Sequence, residues 1–197
     1  GAALAKFVAQ GRLVVAKQSE SPDTSFFRVS GNDAVIRKRG YRAMLYLPPL
    51  MRAALVNFDT DFVVWNLSDY DSLLRSWYPY SDKNLPFVAL GDFNGDGIQD
   101  AVLHGRNKSA AMMICILSTD SAFRVLTVQK WEVSPGWTLS DHLEVYLTQV
   151  GRGLIKSGFE PQPLNLTTDA FEIGFFEKAA TLYYYKDGRF LQYTTSD

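Results

Sequence analysis

The sequence predicts an α+β fold, an antiparallel β-sheet with about two helices from the first half packed against it. Three observations carry this. From Pro86 onward, short apolar runs alternate with turn signals, which is the pattern of strands. Two earlier stretches, near 49–58 and 69–77, place apolar residues at helical spacing. Near the C-terminus, Lys186-Asp187-Gly188-Arg189 separates two apolar runs and carries the Asp-Gly signal of a hairpin. The chain has 197 residues, 47% of them hydrophobic, including 13 Phe, 10 Tyr and 4 Trp. That is enough to build one packed core, and a single domain over 1–197 is expected.

Taken in order, Leu13-Val14-Val15-Ala16 and Phe26-Phe27-Arg28-Val29 read as strands parted by a polar turn at Ser19 to Thr24. After a turn at Gly31-Asn32-Asp33, Ala34-Val35-Ile36-Arg37 reads as a third strand, giving a small meander. Pro48-Pro49 opens a helix, since proline is tolerated in a first turn. Its stripe is Leu50, Met51, Ala54, Leu55 and Phe58. A second helix runs from Asp69 to Trp77, capped by Ser68 or Asp69, with Tyr70, Leu73, Leu74 and Trp77 as its buried stripe. Phe87-Val88-Ala89-Leu90 and Ala101-Val102-Leu103 are strands, as is Met112 to Leu117. Phe123 to Trp131 has apolar residues on both faces and is expected to be central. Ser134-Pro135-Gly136-Trp137 is a turn, Leu143 to Thr148 a strand and Gly151-Arg152-Gly153 a turn. Gly158 to Thr168, with two prolines, reads as a loop, and Ala179 to Tyr185 pairs with Phe190 to Thr194 in the tail hairpin.

The hairpin at about 86–105 encloses Gly91-Asp92-Phe93-Asn94-Gly95-Asp96-Gly97-Ile98-Gln99-Asp100, which reads D-x-N-x-D-G-x-x-D. Calcium takes six to eight oxygen ligands at about 2.3–2.6 Å. Asp92, Asn94 and Asp96 are short oxygen-bearing side chains at alternate positions, which a tightly curled backbone can aim at one point. Gly97 stands where the chain must turn sharply. Ile98 would offer its backbone carbonyl while its side chain packs inward, and Asp100 would reach the ion directly or through water. Neither His nor Cys stands in the loop, which argues against zinc or copper. Turn chemistry alone would also place Asp, Asn and Gly in such a loop. An EF-hand is excluded, because the flanks are strands and the twelfth position is Leu103 rather than Glu.

Phe87 to Gly105, FVALGDFNGDGIQDAVLHG, resembles the FG-GAP (VCBS-type) calcium motif of integrin-like repeats, which are common in secreted and surface proteins of bacteria. The resemblance implies Ca2+ held by Asp92, Asn94, Asp96, the Ile98 carbonyl and Asp100. It covers about a tenth of the chain. Those families build propellers from many copies, whereas one copy is found here. The nearest echo, Asn57-Phe58-Asp59-Thr60-Asp61, lacks the glycine and reads as a helix exit. A full β-propeller is therefore not expected. The tail YYYKDGRFLQYTTSD also resembles the tails of exported bacterial proteins that bear one such motif.

Net charge is −1, which gives no reason to expect nucleic acid or an anionic membrane as partner. The basic cluster Arg37-Lys38-Arg39 with Arg42 reads as a solvated strand edge. No apolar run reaches the roughly 18 residues of a membrane-spanning helix. Cys115, the single cysteine, lies in an apolar run and reads as core filler. The chain begins at Gly1 and is read as a mature form whose leader was removed. With a loop suited to millimolar calcium, this places it in the periplasm or outside the cell.

The common catalytic motifs G-x-S-x-G, P-loop, H-E-x-x-H and C-x-x-C are missing from the sequence. Neither His104 nor His142, beside Asp141, is assigned a catalytic role, and an enzyme is not the leading expectation. The leading expectation is an exported calcium-binding module, structural or binding, with a protein or carbohydrate ligand. The tyrosines Tyr183, Tyr184, Tyr185 and Tyr193 would stabilise cross-strand pairs or form a sugar platform. One alternative is an extracellular hydrolase with structural calcium and a catalytic carboxylate pair. Another is an adhesion or protein–protein interaction subunit marked by an exposed apolar patch.

Overall fold

Val35–Arg39 (β1) and Arg42–Tyr46 (β2) form the first antiparallel pair in the computed structural model, which describes residues 33–39, 42–132 and 143–196. The strands expected near 13–16 and 26–29, the turn at 134–137 and the Asp141-His142 pair lie outside the described residues. The basic cluster falls on this hairpin as expected, with Arg37 and Lys38 exposed and the Lys38 ammonium 3.5 Å from the centre of the Tyr80 ring.

Pro49–Phe58 (α1) begins where the sequence places it, with Pro49 filling a position whose N–H no helix needs. It stops at Asp59, whose Oδ1 accepts the Asp61 N–H, so the Asn57 to Asp61 segment is a helix exit. The buried stripe is narrower than the five apolar residues suggest. Met51 and Leu55 are buried, whereas Leu50 is 54% exposed. Val63–Val64 (β3) follows.

The single helix expected from Asp69 to Trp77 is instead two pieces with separate caps. Asn66 caps a one-turn 3-10 helix at Leu67–Asp69, and Asp71 caps Ser72–Trp77 (α2) by accepting the Leu73 N–H at 2.7 Å. Each cap pulls its own backbone N–H, and the chain between them, at Tyr70, is extended. Tyr70 and Leu74 are buried as expected, while Leu73 and Trp77 are more than half exposed.

Asn84–Leu85 (β4), Val88–Gly91 (β5), Asp100–Arg106 (β6), Ala110–Ser118 (β7) and Phe123–Glu132 (β8) form the central sheet in that order, all antiparallel. β3 joins the far end of β6, pairing Val63 with Arg106. β8 is not central as expected; it ends the order among the described residues. Its apolar residues fall on both faces because both faces of the sheet are covered. Phe123 and Val125 join one core, and Leu126, Val128 and Trp131 join the other.

Val145–Val150 (β9), Gly153–Ile155 (β10), Leu164–Leu166 (β11), Ala170–Phe175 (β12), Ala180–Lys186 (β13) and Arg189–Ser196 (β14) complete the chain. A second antiparallel sheet has the order β14-β13-β12-β9, and β10 pairs with β11. The tail hairpin turns at Asp187 and Gly188, both at positive φ, as an Asp-Gly turn requires. β11 lies inside the segment expected to be loop.

Alternation along the central strands sorts their side chains into two cores. Leu90, Leu103, Met112, Ile114 and Ile116 face Met51, Leu55, Tyr70 and Leu74 of the helical layer. Ala89, Val102, Met113, Cys115 and Leu117 face Val145, Leu147, Phe171 and Ile173 of the second sheet. β7 is consequently buried at every position, and truncating one of its large residues to Ala should cost about 2–5 kcal/mol. The outer face of the second sheet, with Leu182 and Tyr193, is covered by the β10–β11 hairpin. Cys115 is core filler, and burial pushes its thiol well up. His104 is fully buried, with Nδ1 2.8 Å from the Tyr70 hydroxyl. The sheets do not close into a barrel, so the fold is α+β and not a full propeller. Among the described residues no helix is long and apolar enough to cross a membrane.

Candidate metal centre

The β5–β6 connection is held at both ends. Gly91 and Asp100 pair across the hairpin, and Phe93 is fully buried between the sheets, its ring edge-on to Phe171 at 5.4 Å. Between these anchors the backbone curls so that its N–H groups point at the loop's own side chains. Gly95 and Gly97 adopt φ of +82° and +83°, the left-handed region that glycine enters without strain. This lets Asp92 accept the N–H of Gly95 at 2.7 Å on Oδ1 and that of Gly97 at 3.1 Å on Oδ2. Asn94 Oδ1 accepts from the Asp96 N–H at 3.1 Å, and Asp96 Oδ1 from the Ile98 N–H at 2.8 Å. The alternate spacing read in the sequence thus becomes a ladder of side-chain oxygens on a curled backbone.

The four expected side-chain ligands separate into two groups. Asp92 faces Arg152 and Asp169; Arg152 Nη2 donates to Asp92 Oδ2 at 2.8 Å and its Nε lies 4.0 Å from Asp169 Oδ1. Asn94, Asp96 and Asp100 converge on Ser118 at the end of β7. The Asn94 amide donates to Asp96 Oδ2 at 3.0 Å and to the Ser118 carbonyl at 3.0 Å. Asp100 is fully buried; its Oδ1 accepts the Ser118 N–H at 2.7 Å and its Oδ2 the Phe93 N–H at 2.9 Å. Ile98 donates its backbone N–H to Asp96 Oδ1, and the residue is 38% exposed rather than packed inward. Phe93 is the loop residue that packs inward. Among the described residues, no three His, Cys, Asp or Glu side chains come together closely enough to hold an ion by themselves.

Ser118 Oγ lies 2.7 Å from Asp96 Oδ2 and 2.8 Å from Asp100 Oδ1. A hydroxyl carries one proton and can donate to only one of them. The second oxygen pair needs a proton or a cation between or beside its members. Burial pushes the Asp100 carboxyl up to about 6, although the Ser118 and Phe93 groups that donate to it pull the other way. At Asp96 burial also works upward, but hydrogen bonds from Ser118, Ile98 and Asn94 outweigh it and leave this carboxyl below its ordinary range. Asp96 and Asp100 thus meet at Ser118, while Asp92 and Asp169 share the guanidinium of Arg152. The donor set is hard oxygen throughout, which suits calcium or magnesium and not a soft metal.

Sequence reasoning missed four residues of this centre: Phe93, Ser118, Arg152 and Asp169. Ser118 closes an otherwise apolar strand, which is a readable signal for a polar role. Asp169 immediately precedes the apolar run of β12, and Arg152 sits in the Gly-Arg-Gly turn, but nothing local ties either to residue 92. No protein-family model, no curated protein and no solved structure matches this chain.

Proposed function

We propose that the chain is a calcium-stabilised module, serving as a binding or structural element outside the cytosol, whose Asp92–Asp100 loop takes up Ca2+. The observation that carries this reading is the shortage of protons at Ser118, whose one hydroxyl proton lies between the carboxylates of Asp96 and Asp100, while Asp92 and Asp169 share Arg152 alongside. A divalent ion would offset that shortage. Asp92, Asn94 and Asp96 would supply side-chain oxygens, Ile98 its carbonyl, and Asp100 a direct or water-mediated contact. The ion's role would be to clamp a loop that repels itself when empty, and binding that favours the folded state raises stability. A loop of this composition suits the high calcium of the periplasm or extracellular space.

Calorimetric titration of chelator-treated protein with CaCl2, with melting followed in parallel, tests the proposal. Binding in the micromolar to millimolar range is expected, with stabilisation of about 2.7 kcal/mol at a hundredfold excess over Kd. No heat and no melting shift would reduce the loop to an ordinary turn.

A further inference from the structure

Beside the loop, a cleft of about 310 Å3 opens between Asn94 and Asp96 on one side and the β7–β8 turn and β13–β14 hairpin on the other. Ser118, Asp120, Arg124 and Tyr185 are among the residues that line it. Arg124 is exposed but held in place, its Nη2 donating to the Tyr185 hydroxyl at 2.6 Å. The Tyr185 ring is itself braced edge-on by Phe190 at 5.2 Å.

We infer that this cleft binds a neutral carbohydrate. With Asp96 engaged by calcium, Asp120 and the guanidinium of Arg124 leave one free charge of each sign along the lining, so neither a simple anion nor a simple cation is favoured. A sugar hydroxyl donates and accepts at once, so it matches a wall that interleaves carboxylate acceptors with a guanidinium donor. Tyr185 adds an aromatic body beside a polar tip, the surface on which a pyranose face can rest. The depression is open to solvent, so it would contact one face of a sugar unit rather than enclose it. The inference deepens the calcium reading, since Asn94 and Asp96 belong to both, and its test separates the two.

The full chain is applied to a printed array of neutral and acidic glycans. Binding neutral glycans are then titrated calorimetrically in calcium and in chelator, with the calcium melting shift recorded for every protein. Neutral glycans should bind, and Arg124→Gln and Asp120→Asn should each weaken them by about tenfold or more, since each removes a charge-assisted hydrogen bond. Both residues are exposed, so melting temperature and the calcium shift should stay unchanged. The inference is overturned by binding confined to acidic glycans, by no binding while the calcium shift persists, or by binding that survives both substitutions. Neutral-glycan binding that both substitutions abolish in a protein with no calcium shift would uphold the cleft and remove the calcium reading alone.

Discussion

Asp92 and Asp169 hold each other through two reciprocal hydrogen bonds across 77 positions of sequence. The Asp92 N–H donates to Asp169 Oδ2 at 3.1 Å, and the Asp169 N–H donates to the Asp92 carbonyl at 3.0 Å. The pair ties the start of the loop in the central sheet to the entry of β12 in the second sheet. Arg152, reaching over from the β9–β10 turn, pairs with Asp92 and approaches Asp169. The candidate ion site is therefore joined to both sheets, and events in the loop bear on how the sheets are held together.

Asp169→Ala removes the acceptor from the half-buried Asp92 N–H and should cost about 1–3 kcal/mol in urea unfolding. Asp169→Asn keeps an oxygen in place and should cost less. Equal losses in the two variants would show that the hydrogen bond to Asp92 is not the source of the effect.

Asp96→Ala removes an exposed carboxylate that organises Ile98, Asn94 and Ser118. It should lower calcium affinity and also reduce the melting shift that saturating calcium produces. A calcium response equal to that of the unaltered chain would sink the metal assignment, whatever the variant's basal stability.

The two loop glycines make a matched pair. At Gly97 an added Cβ meets open space, so Gly97→Ala carries only the strain of its positive φ, about 1–2 kcal/mol. At Gly95 the same strain is joined by a Cβ placed 2.7 Å from Thr168 Cγ2, just before Asp169. Gly95→Ala should therefore be the more destabilising, and Thr168→Ser should recover part of the difference. Thermal melts of the three variants and the double variant decide it.

What the sequence made legible was local. The Pro48-Pro49 helix start, the strand–loop–strand around Asp92 to Asp100 and the Asp187-Gly188 hairpin each rest on signals a few residues apart, and each is found. The missed features are those defined by distant partners. β3, β4, β10 and β11 are two or three residues long and are strands only because a neighbour pairs with them. The central position expected for β8 failed because apolar residues on both faces report two covered faces, not two paired edges. Asp92, Arg152 and Asp169 meet only after the second sheet folds back over the first. The Ser118 contact with Asp100 depends on the antiparallel return of β7, and no local spacing rule encodes it.

Asp100 gives the centre a dependence on pH whose sign follows from its burial. Its carboxyl titrates near 6 in the fold against an ordinary value of 3.8. Between those values the folded state binds the proton more tightly than the unfolded chain. Stability from this group is therefore greatest below about 4 and falls as pH rises toward 6, by up to about 1.4 kcal/mol per unit. Asp96, held below its ordinary range, works in the opposite sense, so the behaviour of the whole protein does not isolate Asp100. The comparison with Asp100→Asn does, because the amide does not titrate. In chelator, the stability of the unaltered chain relative to Asp100→Asn should drop between pH 4 and pH 7 by about 2.4 kcal/mol, less than the full product of shift and energy per unit because the unfolded carboxyl is already partly ionised at pH 4. Saturating calcium should shrink that drop, because a cation beside the carboxylate favours its ionised form. Parallel stability curves for the two proteins in chelator would show that Asp100 is ionised throughout this range and that the Ser118 hydroxyl and backbone donors alone offset its burial.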